Sequence, residues 1–222
     1  MRMMAVFEKS ERLRHIGHLD IQRTMQRALR RSGLPVKYSQ GFNPHILVTF
    51  ASALSTGAIG RREIMDVTMA EDVTPEAFVS AMNGALPPDM QISCAKTMDD
   101  RHPSLTSMLY AAEFEIRIMD EDAAQRMIAS LDSFMAQEQI ITLRKSKSGM
   151  KEVDMKPLVY SVQGEGATLR AVLSQAEGSS CKPDMLVNAL CAFLSMDTPR
   201  VIVTRSMLMG QDEGRMVPLE TL

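Results

Sequence analysis

The chain has no tryptophan and an aromatic content of only 5%. Aliphatic side chains and 20 methionines must therefore fill whatever core its 222 residues bury. Cysteine is scarce too: Cys94, Cys181 and Cys191 show no CxxC spacing and sit in apolar segments. Such thiols exclude a disulfide framework, fit a reducing compartment, and cannot by themselves ligate an iron–sulfur cluster. No apolar run approaches a membrane span, and the opening MRMMAVFEKSE is too short an apolar stretch for a signal peptide. The expectation is a soluble cytoplasmic protein with no membrane partner. The GxxxxGK phosphate loop, the GxGxxG dinucleotide turn, HExxH and a Ser-His-Asp ordering are also missing, and Gly57 to Gly60 is too short to replace either glycine loop. Nothing in the pattern asks for a cofactor or a metal.

What the chain does have is a lopsided charge distribution behind a net charge of −2. Residues 1–62 carry 11 Lys/Arg against 3 Asp/Glu, and residues 63–138 carry 4 against 15. Residues 139–170 turn basic again, 6 against 3. Segregation of this kind implies distinct surfaces for distinct partners, or two halves that attract each other.

Periodicity places elements in a repeating order. Met3 to Glu8 reads as a strand and His18 to Ser32 as a helix that stops at Gly33 and Pro35. Ile46 to Phe50 reads as a strand, Ala53 to Gly60 as a loop, and Ile64 to Met69 as an alternating strand. Thr74-Pro75-Glu76 opens a helix that runs to about Ala85, and Met90 to Ala95 closes a βαββαβ set. Beyond the polar joint Asp99 to Pro103 the order recurs. Tyr110 to Met119 is a strand, Asp120 to Gln137 a helix, and Ile140 to Lys145 and Glu152 to Val162 are strands around a basic turn. Leu169 to Leu173 adds an extra strand, Pro183 to Leu194 a helix and Val201 to Leu208 a final strand. The prediction is an α+β protein of two tandem ferredoxin-like halves, residues 1–98 and 107–210, with 211–222 as a tail. Neighbouring strand pairs without an intervening helix argue against a doubly wound parallel sheet.

The most informative stretch is His15 to Ala51. In its helix, Ile21, Met25, Ala28, Leu29 and Ser32 form a buried stripe, while Arg23, Arg27, Arg30 and Arg31 fall on the other side. Like charges at i,i+4 cost about 0.2–0.5 kcal/mol per pair, so a compensating anion is expected: phosphate, or the acidic segment of the same chain. His15, His18 and His45 are candidates for acid–base chemistry or for hydrogen bonds within their turns. Gln40-Gly41-Phe42-Asn43-Pro44-His45 is a turn in which Phe42 either stacks on a base or partner or folds back into the core. Lys37 precedes it. Arg144, Lys145 and Lys147 make a basic hairpin tip in the second half.

The run RLRHIGHLDIQRTMQRALRRSGLPVKYSQGFNPHILVTFASALSTG, with its HLD, RALRRSGLP and YSQGFNPH segments, resembles the opening of the bacterial radical SAM-linked protein family, and VDMKPLVY and LRAVL resemble its second half. The resemblance implies a partner, a radical SAM protein with a cobalamin-binding-like region, and a setting near an RNA-processing ribonuclease gene. It brings no catalytic residues. The chain lacks the CxxxCxxC cluster, so radical SAM chemistry would belong to that partner. The expectation is a non-enzymatic accessory protein that binds RNA or ribonucleoprotein. Arg23, Arg27, Arg30, Arg31, Lys37 and the 144–151 turn would meet phosphate, Phe42 would stack, and His18, Gln40, Asn43 and His45 would give specificity. A hydrolase using His15, His18 and His45, or a pure docking module for the radical SAM partner, are the alternatives.

Overall fold

The computed structural model describes residues 1–146 and 149–222, the side chains of Lys145 and Ser146 excepted. It is a mixed α+β protein with six α-helices among the described residues and mostly antiparallel sheet. The chain forms two compact units, Met1–Leu109 with Met207–Leu222, and Tyr110–Ser206. No helix of the described residues is long and apolar enough to cross a membrane.

The first unit runs β1 (Arg2–Lys9), α1 (His18–Arg31), β2 (Val48–Phe50), β3 (Ile59–Thr68), α2 (Pro75–Ala85), β4 (Ile92–Met98) and the short α3 (Leu105–Met108). Both long helices begin and end where the residues dictate. Gly17 caps α1 through its backbone, and Gly33 at φ +72 follows its end. The Thr74 hydroxyl accepts from the Ala77 N–H at the start of α2, ahead of Pro75. In the sheet, β1 lies between β4 and β3, β2 pairs with β3, and every one of these pairings is antiparallel. The helices cover one face, and the core there joins Ile21, Met25 and Leu29 of α1 to Phe78 and Met82 of α2 and to Met3, Ala5 and Phe7 of β1. Six methionines of this cluster are 2% exposed or less, which is how a chain without tryptophan fills the space. Fully burying each contributes about 1.5–3 kcal/mol.

The second unit contains β5 (Ala111–Ile118), α4 (Glu121–Ala129), α5 (Leu131–Met135), β6 (Ile141–Ser146), β7 (Gly149–Asp154), β8 (Val159–Glu165), β9 (Thr168–Ser174) and α6 (Pro183–Phe193), and then enters β10 (Val201–Asp212). Three features differ from the periodicity. The helix expected over 120–137 is broken at Ser130, whose hydroxyl donates back to the Arg126 carbonyl at 2.8 Å, a local bond that competes with helix continuation. The strand expected over 152–162 is interrupted by a 3₁₀ turn at Lys156–Leu158, because Pro157 cannot donate to a ladder. Leu169 to Leu173 belongs to a strand flanked by β5 and β8, and the additional strands are β6 and β7, a hairpin forming a sheet of its own.

β10 passes from the second unit back into the first, where β11 (Arg215–Pro218) pairs with it. The segment 211–222, set apart by sequence as a tail, contains β11 and a final 3₁₀ turn. That turn buries Leu219 to 1% exposure and offers Glu220 Oε1 to Arg62 Nε at 2.8 Å.

The three thiols sit in different surroundings. Burial first, and then the nearby Asp184 carboxylate, push the Cys181 thiol up to about 12 against the opposing pull of Arg144, and burial raises Cys191 as well. Cys94 is exposed. A thiol reagent at pH 8 should therefore label one cysteine rapidly, and Cys94→Ser should abolish that phase. A second fast-reacting thiol in the folded protein would contradict this arrangement.

Candidate functional site

The basic segment is built on a buried lysine. Met3, Ala5 and Phe7 of β1 point into the helix-side core, and Lys9 continues that alternation at 0% exposure. Its ammonium donates to the carbonyls of Arg14 and Ile16, each at 2.9 Å. The Arg14 carbonyl also accepts from the Gly57 N–H at 2.7 Å, so one oxygen joins the His15–Gly17 loop to the loop before β3. Opposite Lys9 in the β1–β3 register is Gly60, where a Cβ would lie 2.6 Å from Cγ of the buried Glu63. A side chain at position 60 would force the Glu63 side chain to move. A lysine held in this way fixes the path of the chain into α1, because a buried ammonium must keep its acceptors.

From that anchor the histidines diverge. His15 is exposed, and its Nε2 accepts from Arg14 Nε at 3.1 Å. His18, the first residue of α1, is half-buried with its ring edge-on to Phe50 at 5.3 Å, and Phe50 in turn meets Phe7 at 5.9 Å. His45 lies on a different loop, with Nδ1 hydrogen-bonded to Ser39 Oγ at 2.9 Å. Each of the three thus has its own neighbours, and among the described residues no group of three His, Cys, Asp or Glu side chains is placed to hold a metal ion.

The arginine face of α1 is exposed, and its members are differently engaged. Arg23 pairs with Asp20 one turn earlier at 2.9 Å. Arg31 donates to the Ala85 carbonyl at 2.6 Å, which ties α1 to the end of α2. Arg27 and Arg30 are exposed and have no ion pair among the described residues. Of the four, they are the guanidinium groups most available to an external anion.

The QGFNPH segment is the tip of a long hairpin-like excursion. Val36 bridges to Met69 and Tyr38 to Ile46, and the exposed Lys37 gives its backbone to this pairing through bonds with Thr68 and Leu47. Ser39 then closes the loop twice, its N–H donating to the His45 carbonyl at 2.8 Å and its hydroxyl accepting from the His45 N–H at 3.1 Å. Gly41 at φ +132 permits the reversal. Gln40 and Asn43 are exposed, and Phe42 stands wholly in solvent, fully exposed rather than folded into the core.

In the second unit Arg144 reaches Gly178 O at 3.3 Å and Ser180 Oγ at 3.4 Å, and its cross-strand partner is Lys151. Like charges directly opposite each other weaken a hairpin. The backbone of Lys145 pairs with Met150 in β7, whereas Lys147 lies outside the described residues. Two features escaped the periodicity. Lys9 is legible only as the inward parity of a strand that ends in FEK. The Arg2–Asp66 pair, 2.9 Å from Nε to Oδ2, joins residues 64 positions apart and leaves no local signal.

The profile of a bacterial family described as "uncharacterized protein conserved in bacteria (DUF2344)" matches residues 2–183, and the chain belongs to that family. No curated protein matches it.

Replacing Lys9 with methionine keeps the volume and removes the donor to Ile16 O. The expected result is a loss of about 2–4 kcal/mol in chemical denaturation, with displaced ring resonances for His15 and His18. Unchanged stability and unchanged histidine resonances would contradict the anchoring role.

Proposed function

We propose that the chain is a non-catalytic, cytoplasmic accessory protein of a radical SAM system that binds RNA or a ribonucleoprotein. The observation that carries this reading is Phe42, an aromatic ring fully in solvent at the tip of a loop closed by its own hydrogen bonds. A ring in that position has no role in the fold and is suited to stacking on an unpaired base. Arg27 and Arg30, exposed and without ion pairs among the described residues, would meet phosphate, with Lys37 at the root of the loop. Arg23 and Arg31 would contribute once they exchange their present partners, and Gln40, Asn43 and His45 would read the base edges beside Phe42. His18, packed on Phe50, would act by holding the loop before α1. The basic hairpin of the second unit is a further phosphate contact in this reading. The βαββαβ order of the first unit supports a ferredoxin-like scaffold repeated in the second, a shape on which RNA is often presented. The radical SAM partner follows from the sequence resemblance.

Titration of the purified protein with single-stranded RNA at several salt concentrations tests the proposal. Binding should weaken steeply with salt. Arg27→Glu with Arg30→Glu should lower the log–log slope by about 1.4, the value for two lost phosphate contacts. Phe42→Ala should weaken binding by about 1–3 kcal/mol and leave the slope unchanged. Equal affinity in all three proteins would overturn it.

A further inference from the structure

In the second unit a strand edge opens onto a helix. β6 pairs with β7, and its other edge meets no strand among the described residues. The Met155 N–H donates to the Ile140 carbonyl, which fixes the phase of the ladder. The even-numbered residues of β6 therefore bond to β7, and the N–H and C=O groups of Ile141 and Leu143 point away from it. A groove of about 670 Å³ runs beside that edge. All four residues from Ile141 to Arg144 line it. Neighbours along a strand point to opposite faces, so a groove that meets all four follows the edge of β6. The facing wall is α6, through Met185, Ala189 and Ala192 at i, i+4 and i+7. The two alanines leave room for a side chain from outside. Ile141, Leu143 and Met150 share one side of the hairpin by register, border the groove and are each more than half exposed. Apolar side chains gathered at an open groove mark an interaction site. The groove is charged at one end, where Arg144 and Lys182 line it beside the start of α6. Asp184 lines the same end, but its Oδ1 already accepts from the Met185 N–H at 3.1 Å. The sequence 144–151 adds Lys145, Lys147 and Lys151 and no acid.

We infer that this groove takes an extended, acidic segment of a partner protein, which adds to β6 as a third strand. A peptide backbone is the ligand that meets both the donors and the acceptors of a strand edge. The segment exchanges backbone hydrogen bonds with Ile141 and Leu143, sets aliphatic side chains against Ala189 and Ala192, and places a carboxylate beside Arg144 and Lys182. Four lining residues of β6 correspond to a peptide of about four residues at roughly 3.3 Å each. The inference goes beyond the RNA-binding reading and does not rest on it.

The test uses the full chain and synthetic pentapeptides. Acetyl-Glu-Val-Ser-Leu-Glu-amide, its permutations with Val, Ile or Leu at the two apolar positions, and their Lys-for-Glu counterparts are titrated. The backbone amide resonances of Ile141 and Leu143 and the methyl resonances of Ala189 and Ala192 are followed. Saturable shifts at these groups are expected for the acidic peptides, and the Lys forms should bind about tenfold more weakly. N-methylating alternate peptide amides should abolish binding in one set of positions and spare it in the other, the signature of pairing along a single edge. Ala189→Trp, at a partly buried position, fills the groove and should abolish the shifts with the melting temperature kept. Lys182→Glu, on an exposed side chain, should remove the preference for acid. No saturable shifts, equal binding of acidic and basic peptides, or shifts that survive Ala189→Trp would overturn the inference. So would shifts produced by single-stranded RNA and by none of the peptides, which would assign the groove to the RNA surface. Phosphate-driven RNA binding through Arg27 and Arg30 stands or falls separately, on its own salt dependence.

Discussion

The ammonium of Lys9, closed off from solvent and bonded to two carbonyls of the chain that follows it, is the constraint on which the basic region depends. It converts the end of a strand into the mooring of a loop, and the loop sets where α1 begins. A charge cannot be left in a core without acceptors, so every conformation that keeps the sheet keeps the His15–Gly17 segment close to it. Gly57 adds its N–H to the same Arg14 carbonyl, which brings the loop before β3 into one hydrogen-bonded unit with the entrance of the helix. The exposed arginines of α1 are therefore displayed on a helix whose start is fixed and whose end is tied to Ala85.

The two faces of the first sheet solve different problems. The helix side is an apolar core in which methionine replaces the missing aromatics, with Met25, Met65 and Met82 fully buried between strands and helices. The other side carries the charged pair Arg2–Asp66, whose arginine also reaches the turn at His102 and Pro103. A buried pair of this kind adds little net stability, because desolvation offsets the attraction. Its structural effect is to fix where the 102–103 turn lies over the sheet and to hold one carboxylate oxygen in a defined direction.

Much of this was legible in the residues, for reasons that can be named. The apolar stripe Ile21, Met25, Ala28, Leu29 gives α1, Thr74-Pro75 gives the start of α2, and the alternation through Ile64–Met69 gives the second half of β3, because each signal is local. Where a local bond competed with the periodic pattern, the pattern misled. Ser130 broke a helix that its apolar spacing continues, and Pro157 broke a strand. The hairpin β6–β7 could not be told from sheet strands by alternation alone, since alternation does not say which neighbour a strand chooses. At the site, the exposed arginines were visible as a one-sided face, but the engagement of Arg23 by Asp20 and of Arg31 by Ala85 was not. The burial of Lys9 and the Arg2–Asp66 pair arise from contacts between distant positions, and no spacing rule announces them.

The proposed function requires single-stranded RNA to lie across the 39–45 loop and the exposed face of α1. Ultraviolet cross-linking of the full chain to a short unstructured RNA, followed by mass-spectrometric mapping of the modified peptides, measures this directly. Adducts are expected at Phe42 and in the flanking residues of its loop, suppressed by high salt and by Arg27→Glu with Arg30→Glu. Efficient cross-links confined to other parts of the chain, or none at low salt, would contradict it.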